Sequence, residues 1–511
     1  MNRAPRDPKP RLLVAYSNPA THVSTTVEYL SSFKQHSVCE VSYLHVTDGA
    51  QIDLDLNEFD AVFNSYCARL CFPGHVSQSY LDALKAFRGV RLIAVQDEYD
   101  RTDTLRRAIH DIGFHVVFTC VPQQSHEFVY PKEMFPGIEF VTVLTGYVSE
   151  ALKAQREGWM PLAQRPITIG YRGRQIHGHY GRLGFDKYEI GRRMREICCA
   201  RGIRHDIETS EDKRIYGEAW YDFLGQCRST LGTESGSNVF DFDGTLEAKY
   251  RQIVVENGRE LNYDEFRCYT DPRENEVQMG QISPRIFEAA ATGTPMILFS
   301  GQYSGIVNPD EHYIELKKDF SNVDEVLDRI QDMDALEDLA DRAYRHLIAS
   351  GRYDYNRFVE TVDEVIAQKL TELRGARTPE SAGNGRRRDY WKDPDALSSL
   401  EEQPTSAPRD VIYYRYKYLY WEHEALKREF TAETGRLIGE LKYLQSEFAR
   451  ETGRLTNKIR RLEGAPVGRL IRLCITARLY NAVRSFPPPI LIPLRWLLGS
   501  LRRRSRSARS L

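Results

Sequence analysis

The chain has no Cys-x-x-Cys pair and no Cys/His spacing that suits zinc. Its nine cysteines are scattered and odd in number over 511 residues. Without a disulfide or metal framework they read as reduced packing residues of a cytosolic protein. No long apolar run occurs either. The most apolar stretch, 486–501, carries four prolines and an arginine. A spanning helix needs about 20 apolar residues, so no transmembrane segment is predicted. Residues 1–10 are polar and proline-rich, unlike a signal peptide, and are expected to form a disordered arm. The loop after the first predicted strand reads Asn-Pro-Ala-Thr-His at 18–22. It lacks the Gly-rich dinucleotide fingerprint, which disfavours NAD.

Net charge is also nearly absent: 70 basic against 72 acidic residues leave −2. That average hides an asymmetry. After Glu463 the chain has ten Arg and no Asp, Glu, Lys or His. The last 48 residues thus carry +10, and the first 463 carry −12. An acidic body is no general nucleic-acid binder, whereas a basic end seeks an anionic surface. With 41% hydrophobic and 28% charged residues, most of the chain can fold around real cores, which excludes a disordered or fibrous protein.

Short apolar runs at 12–15, 41–46, 61–63, 91–95, 116–120 and 140–144 are predicted strands. Helix-patterned stretches at 23–33, 77–87 and 102–112 lie between several of them. Strands separated by helices imply parallel pairing, because a parallel return needs a crossover. The expected fold class is α/β, with a Rossmann-like domain over 11–160. A second such unit is expected over 161–374. Its predicted strands are 167–171, 203–207, 230–231, 296–299 and 313–316, and its helices 187–200, 283–292, 323–333, 335–350 and 355–373. Two tandem domains create a cleft, a common ligand site. Residues 375–410, rich in Gly, Pro, Ser and Arg, read as a linker. Over 411–463, Leu441, Phe448, Leu455 and Leu462 recur every seven residues, as do Phe430, Leu437 and Leu444. That is a coiled-coil seam, and self-association is expected from it. The tail at 464–511 combines its arginines with Trp496, Leu497 and Leu498, a pattern for a peripheral contact with an anionic membrane.

Three constellations can carry chemistry. Asp-Phe-Asp-Gly-Thr at 241–245 matches the opening motif of haloacid-dehalogenase-type phosphatases, with Asp241 as nucleophile and Asp243 as acid. It has no buried strand predicted before it and no later acidic pair for magnesium, so an Asp/Gly turn is the competing reading. In Gln281-Ile-Ser-Pro-Arg-Ile-Phe-Glu288, Ser283 caps a predicted helix and Pro284 suits its first position. A helix N-terminus beside Arg285 suits a phosphate; Glu288, one turn on, can accept ribose hydroxyls. In Gln96-Asp-Glu-Tyr-Asp100, Asp97 and Glu98 follow the fourth strand. Either can be a general base if burial raises its pKa; an acidic helix start is the alternative.

The stretch 281–298, with its Glu-Ala-x-Ala-x-Gly-x-Pro pattern running from Glu288 to Pro295, resembles the signature of GT-B glycosyltransferases of the "glycosyl transferases group 1" type. Ile-Gly-Tyr-Arg-Gly-Arg at 169–174, followed by Lys187, is similar to that family's first loop of the C-terminal domain. Leu-Gly-Thr-Glu-Ser-Gly-Ser at 231–237, and the segments 301–305, 312–316 and 318–322, resemble a branch found in surface-polysaccharide gene clusters. The resemblance covers roughly 166–365. It implies a GT-B fold and transfer of a sugar from a nucleotide-sugar donor to a glycan or lipid-linked acceptor, with no cofactor and no metal. It also implies a donor-binding set of Arg172, Arg174, Lys187, Glu234, Ser283, Arg285, Glu288, Gly293 and Thr294. The family carries a further Glu eight residues before the one matched by Glu288, and here that position is Gly280. A non-catalytic scaffold that keeps the fold for its coil and tail is therefore a second reading, and the phosphatase a third.

Overall fold

A computed structural model describes residues 9–17, 24–274 and 276–375. All of them fall in one compact unit, Met1–Trp421. All but the last two residues of the expected arm over 1–10, most of the linker, the coiled coil and the tail lie outside the described residues.

The first half alternates β1 (Arg11–Tyr16), α1 (Ser24–His36), β2 (Glu40–His45), β3 (Ala61–Asn64), α2 (Gln78–Ala86), β4 (Val90–Ala94), α3 (Thr102–Ile112), β5 (Val116–Thr119), α4 (His126–Val129), β6 (Glu139–Thr142) and α5 (Glu150–Lys153). Its six strands form one parallel sheet in the order β2-β1-β3-β4-β5-β6. Every residue of β3 and β5 is buried, as expected for strands covered on both faces. The second half runs β7 (Ile167–Arg172), α6 (Gly181–Arg201), β8 (His205–Glu208), α7 (Glu218–Gly225), β9 (Cys227–Gly232), α8 (Thr245–Asn257), α9 (Tyr263–Thr270), α10 (Pro284–Ala291), β10 (Met296–Phe299), β11 (Ile314–Leu316), α11 (Val323–Arg329), α12 (Met333–Tyr344) and α13 (Tyr355–Gly375). Its five strands are parallel in the order β8-β7-β9-β10-β11. In each sheet the order of strand addition thus reverses once, beside its first strand, and α/β ligands bind outside the strand ends at such points.

Three features depart from the sequence reading. The helix expected at 187–200 starts six residues earlier, at Gly181. Its first turns carry Gly181 and Gly184, which lower helix propensity. Both are set by packing: a Cβ on Gly184 would lie 2.7 Å from Ile176, and Gly181 takes a positive φ of 65°. Helices α7, α8 and α9 were not anticipated. The latter two form a small unit with its own core of Val239, Leu246, Tyr250, Leu261 and Phe266. Finally, α13 packs on the first sheet. Tyr355, Phe358, Val359, Val362 and Ile366 belong to the same core as β1, β3 and β5, and Asp363 accepts hydrogen bonds from Ser37 Oγ (2.7 Å) and the Val38 amide (2.8 Å). The first packed body is therefore not one contiguous stretch of sequence. Among the described residues no helix is long and apolar enough to cross a membrane.

Candidate functional site

The ends of β7 and β9 part at the second sheet's reversal point and leave a cavity of ≈ 280 Å³. Arg172 ends β7, and Gly173, Arg174 and Ile176 come from the loop after it. Gly232 and Thr233 come from the end of β9, and Ser283, Arg285, Ile286 and Ala289 from the start of α10. Lys187 of α6 and Arg214 complete the lining. Five cationic side chains and no carboxylate line it. Gly173 allows the loop to pass close to α6, since a Cβ there would meet the Lys187 carbonyl at 2.7 Å.

The local chemistry explains how these charges are held. Ser283 caps α10, its Oγ accepting from the Arg285 amide, and Pro284 occupies the first helical position. The positive end of the helix dipole therefore faces the cavity. The Arg285 guanidinium donates to the Arg172 carbonyl at the end of β7 and lies over the Trp220 ring at 5.2 Å. Arg172 pairs with Asp206 at 2.9 Å and stacks on Phe223 at 4.3 Å, so its role is partly structural. Burial lowers the Lys187 ammonium to about 8; Asp97 opposes that shift, and Arg285 and Arg174 add to it. Asp97 follows β4 of the other sheet, so a carboxylate of the first half lies near enough to Lys187 to act on its charge, although it does not line the cavity.

Asp97 itself sits at a positive φ of 60°. Its carboxylate accepts from Tyr99 Oη at 2.6 Å and pairs with Arg69 at 3.1 Å. Its neighbour Glu98 is a correction to the sequence reading. Glu98 has no exposed surface. Its Oε1 accepts from Thr119 Oγ1 and the Cys120 amide, while Oε2 is buried without a partner. Burial raises its pKa to about 7, but the group has no exposed surface and lines neither this cavity nor the second one, at the ends of β4, β5 and β6.

The expected donor set divides. Arg172, Arg174, Lys187, Ser283 and Arg285 come together around one cavity. Glu288 does not join them. It lies on the other flank of α10, accepts from Trp220 Nε1 at 2.7 Å, and lines a second cavity. Thr294 and Gly293 line neither cavity. The Thr294 hydroxyl is buried between Arg165 and the Leu224 carbonyl, and a Cβ on Gly293 would strike the Trp159 ring. Glu234 accepts from the Gln302 amide at 2.7 Å and lies 3.8 Å from Lys318. Its carboxylate takes the space beside Gly280, where a Cβ would lie 3.1 Å from Glu234 Oε1. A glutamate at 280 would thus meet a carboxylate already in place. Sequence reasoning missed Arg214 and Trp220; neither sits in a patterned segment, so no signal marked them.

The second cavity, ≈ 250 Å³, opens at the C-terminal ends of β4, β5 and β6. Asp241, the phosphatase candidate, lines neither. Both its carboxylate oxygens are engaged, by the Leu246 amide (3.1 Å) and the Glu247 amide (2.9 Å) at the start of α8. It acts as a helix cap, and Asp243 turns back on Thr245.

No family model and no curated relative matches the chain. Solved structures similar to it include an alpha-glucosyltransferase in complex with UDP and a 13-mer DNA, with a TM-score of 0.43 and 12% identity over 71% of this chain and 100% of that one. A sucrose-phosphate synthase from Thermosynechococcus elongatus matches with a TM-score of 0.36 and 12% identity, over 71% and 100%. An alpha,alpha-trehalose 6-phosphate synthase from Burkholderia multivorans matches with a TM-score of 0.37 and 9% identity, over 73% and 100%.

Proposed function

We propose that the protein is a glycosyltransferase of the GT-B kind, moving a sugar from a nucleoside diphosphate donor to a hydroxyl of a glycan or lipid-linked acceptor. The observation that carries this is the cationic cavity at the reversal point of the second sheet, with Asp97 of the first half close enough to act on Lys187. In the reaction the acceptor oxygen bonds to the anomeric carbon and the bond from that carbon to the diphosphate oxygen breaks. The negative charge that develops on the leaving diphosphate meets Lys187, Arg174, Arg285 and the α10 dipole, which lowers the barrier. These groups take the neutralising part that a divalent ion plays elsewhere. Asp97 is the candidate to receive the acceptor's proton. The sequence pattern supports two further parts of this reading: self-association through the heptads at 411–463, and contact of the tail with an anionic membrane during surface-polysaccharide synthesis.

Calorimetry with UDP, GDP and ADP tests the donor site. A charge-assisted hydrogen bond contributes roughly 1.5–3 kcal/mol, so Lys187→Met and Arg285→Ala should each weaken the best-binding nucleotide by about tenfold or more. Because Lys187 titrates near 8, affinity should fall as pH rises through that value in the wild type, and Lys187→Met should lack this fall. Unchanged affinity in both variants would remove the site.

A further inference from the structure

We propose that the second cavity binds an uncharged sugar ring and rejects sugars that carry phosphate or carboxylate. The inference deepens the glycosyl-transfer reading and rests on it. Among the described residues no Lys, Arg or His lines this cavity, whereas Glu28 of α1 and Glu288 of α10 both do. Tyr66, Tyr147, Tyr221 and Tyr355 make up much of the rest. The two cavities are therefore opposite in kind: one has five cations and no acid, the other two acids and no cation.

Helix α10 divides them. Pro284 and Glu288, four residues apart on one stripe, line the second cavity, while Arg285 and Ala289, on the next stripe, line the first. Residues at i and i+4 share a helix face, and a helix with its side chains is about 10–12 Å across. Ligands in the two cavities thus lie on either side of one helical turn.

Charge then selects the occupant. Glu28 is held above its usual range by burial first, then by the nearby Glu288 and Glu218, against a hydrogen bond from Ser149. A phosphate or uronate would add a further negative charge to carboxylates that already repel one another in a half-buried space. Sugar hydroxyls instead donate to both carboxylates, and the C–H faces of the ring pack against the tyrosines, whose rings combine apolar area with a polar tip. Specificity follows from repulsion of the wrong ligand as much as from attraction of the right one.

The test is saturation-transfer NMR on the full chain with UDP present. Methyl glucoside, methyl galactoside and methyl N-acetylglucosaminide are compared with glucuronic acid, glucose 6-phosphate and uridine. At least one neutral glycoside should make contact, and neither charged sugar should. Glu28→Gln, a mild change at a half-buried position, should weaken the neutral glycoside about fivefold. Glu28→Lys should bring in a charged sugar that the wild type rejects. UDP binding, read in the same tube, reports separately on the cationic cavity, and its absence would undo the glycosyl-transfer reading itself. With UDP bound, equal binding of neutral and charged sugars overturns this proposal, as does binding of no glycoside. A uridine signal that falls with Glu28→Lys while glycosides are silent would assign the cavity to the donor's nucleoside, and also overturns it.

Discussion

Burial lifts the Glu98 carboxyl from 4.5 to about 7, which makes the folded state favour the protonated form. The stabilising contribution of that proton is fully present below pH 4.5 and is lost as pH rises through about 7. A shift of that size corresponds to about 3 kcal/mol. Glu98→Gln, an uncharged isostere, should therefore flatten the pH dependence of unfolding over this window and make the protein more stable than wild type at pH 8. Urea denaturation at several pH values checks this; an unchanged slope with pH would mean that Glu98 is not enclosed. The contrast with Asp97 shows where residue-level reading stops. Both acids follow β4, and the sequence marks them equally. A single left-handed backbone position at Asp97 accompanies one carboxylate in the cleft and the other in the core, and nothing in the residue types announces it. By contrast, Ser283 and Arg285 were marked by a helix start, whereas Arg172, Arg174 and Lys187 entered only through the family resemblance; all five line one cavity.

Elements with buried faces were legible as well. All six strands of the first sheet were expected within a residue or two, since continuous apolar runs mark strands covered on both sides. Helix α10 was legible from its cap, its N1 proline and the glycine after it. Helices α7, α8 and α9 were not: α8 has Gly244 at its N-cap position, without a capping side chain there, and no clear apolar stripe, and its start overlaps the Asp-Phe-Asp-Gly-Thr motif. That motif's main work is structural. Asp241 holds the second and third amides of α8, and loss of a helix cap costs about 0.5–2 kcal/mol. Asp241→Ala should cost stability of that order or somewhat more, given its burial, with nucleotide affinity within a few-fold of wild type. Asp241→Asn should leave sugar transfer within a few-fold. A magnesium-dependent phosphatase activity abolished by Asp241→Asn would reverse this reading and restore the rival enzyme.

At the scale of the molecule, α13 shows why domain limits were harder to read than elements. Its apolar stripe predicts a buried helix but not the sheet it covers; Tyr355, Phe358 and Val362 join the first core although the chain reaches them after the second. Beyond it, the charge distribution supports one more expectation. Ten Arg after Glu463, with no acid among them, make the tail's attraction to an anionic surface electrostatic, while Trp496, Leu497 and Leu498 add apolar anchors. Such an attraction has a salt signature, because the Debye length falls from about 10 Å at 0.1 M to about 3 Å at 1 M. Sedimentation with phosphatidylserine-containing vesicles should weaken strongly over that range and disappear when 464–511 are removed. Neutral vesicles should bind little of the protein at any salt. Binding that is equal for neutral and anionic vesicles, or that survives the truncation, would detach the tail from the membrane and leave the cleft to find its acceptor by diffusion.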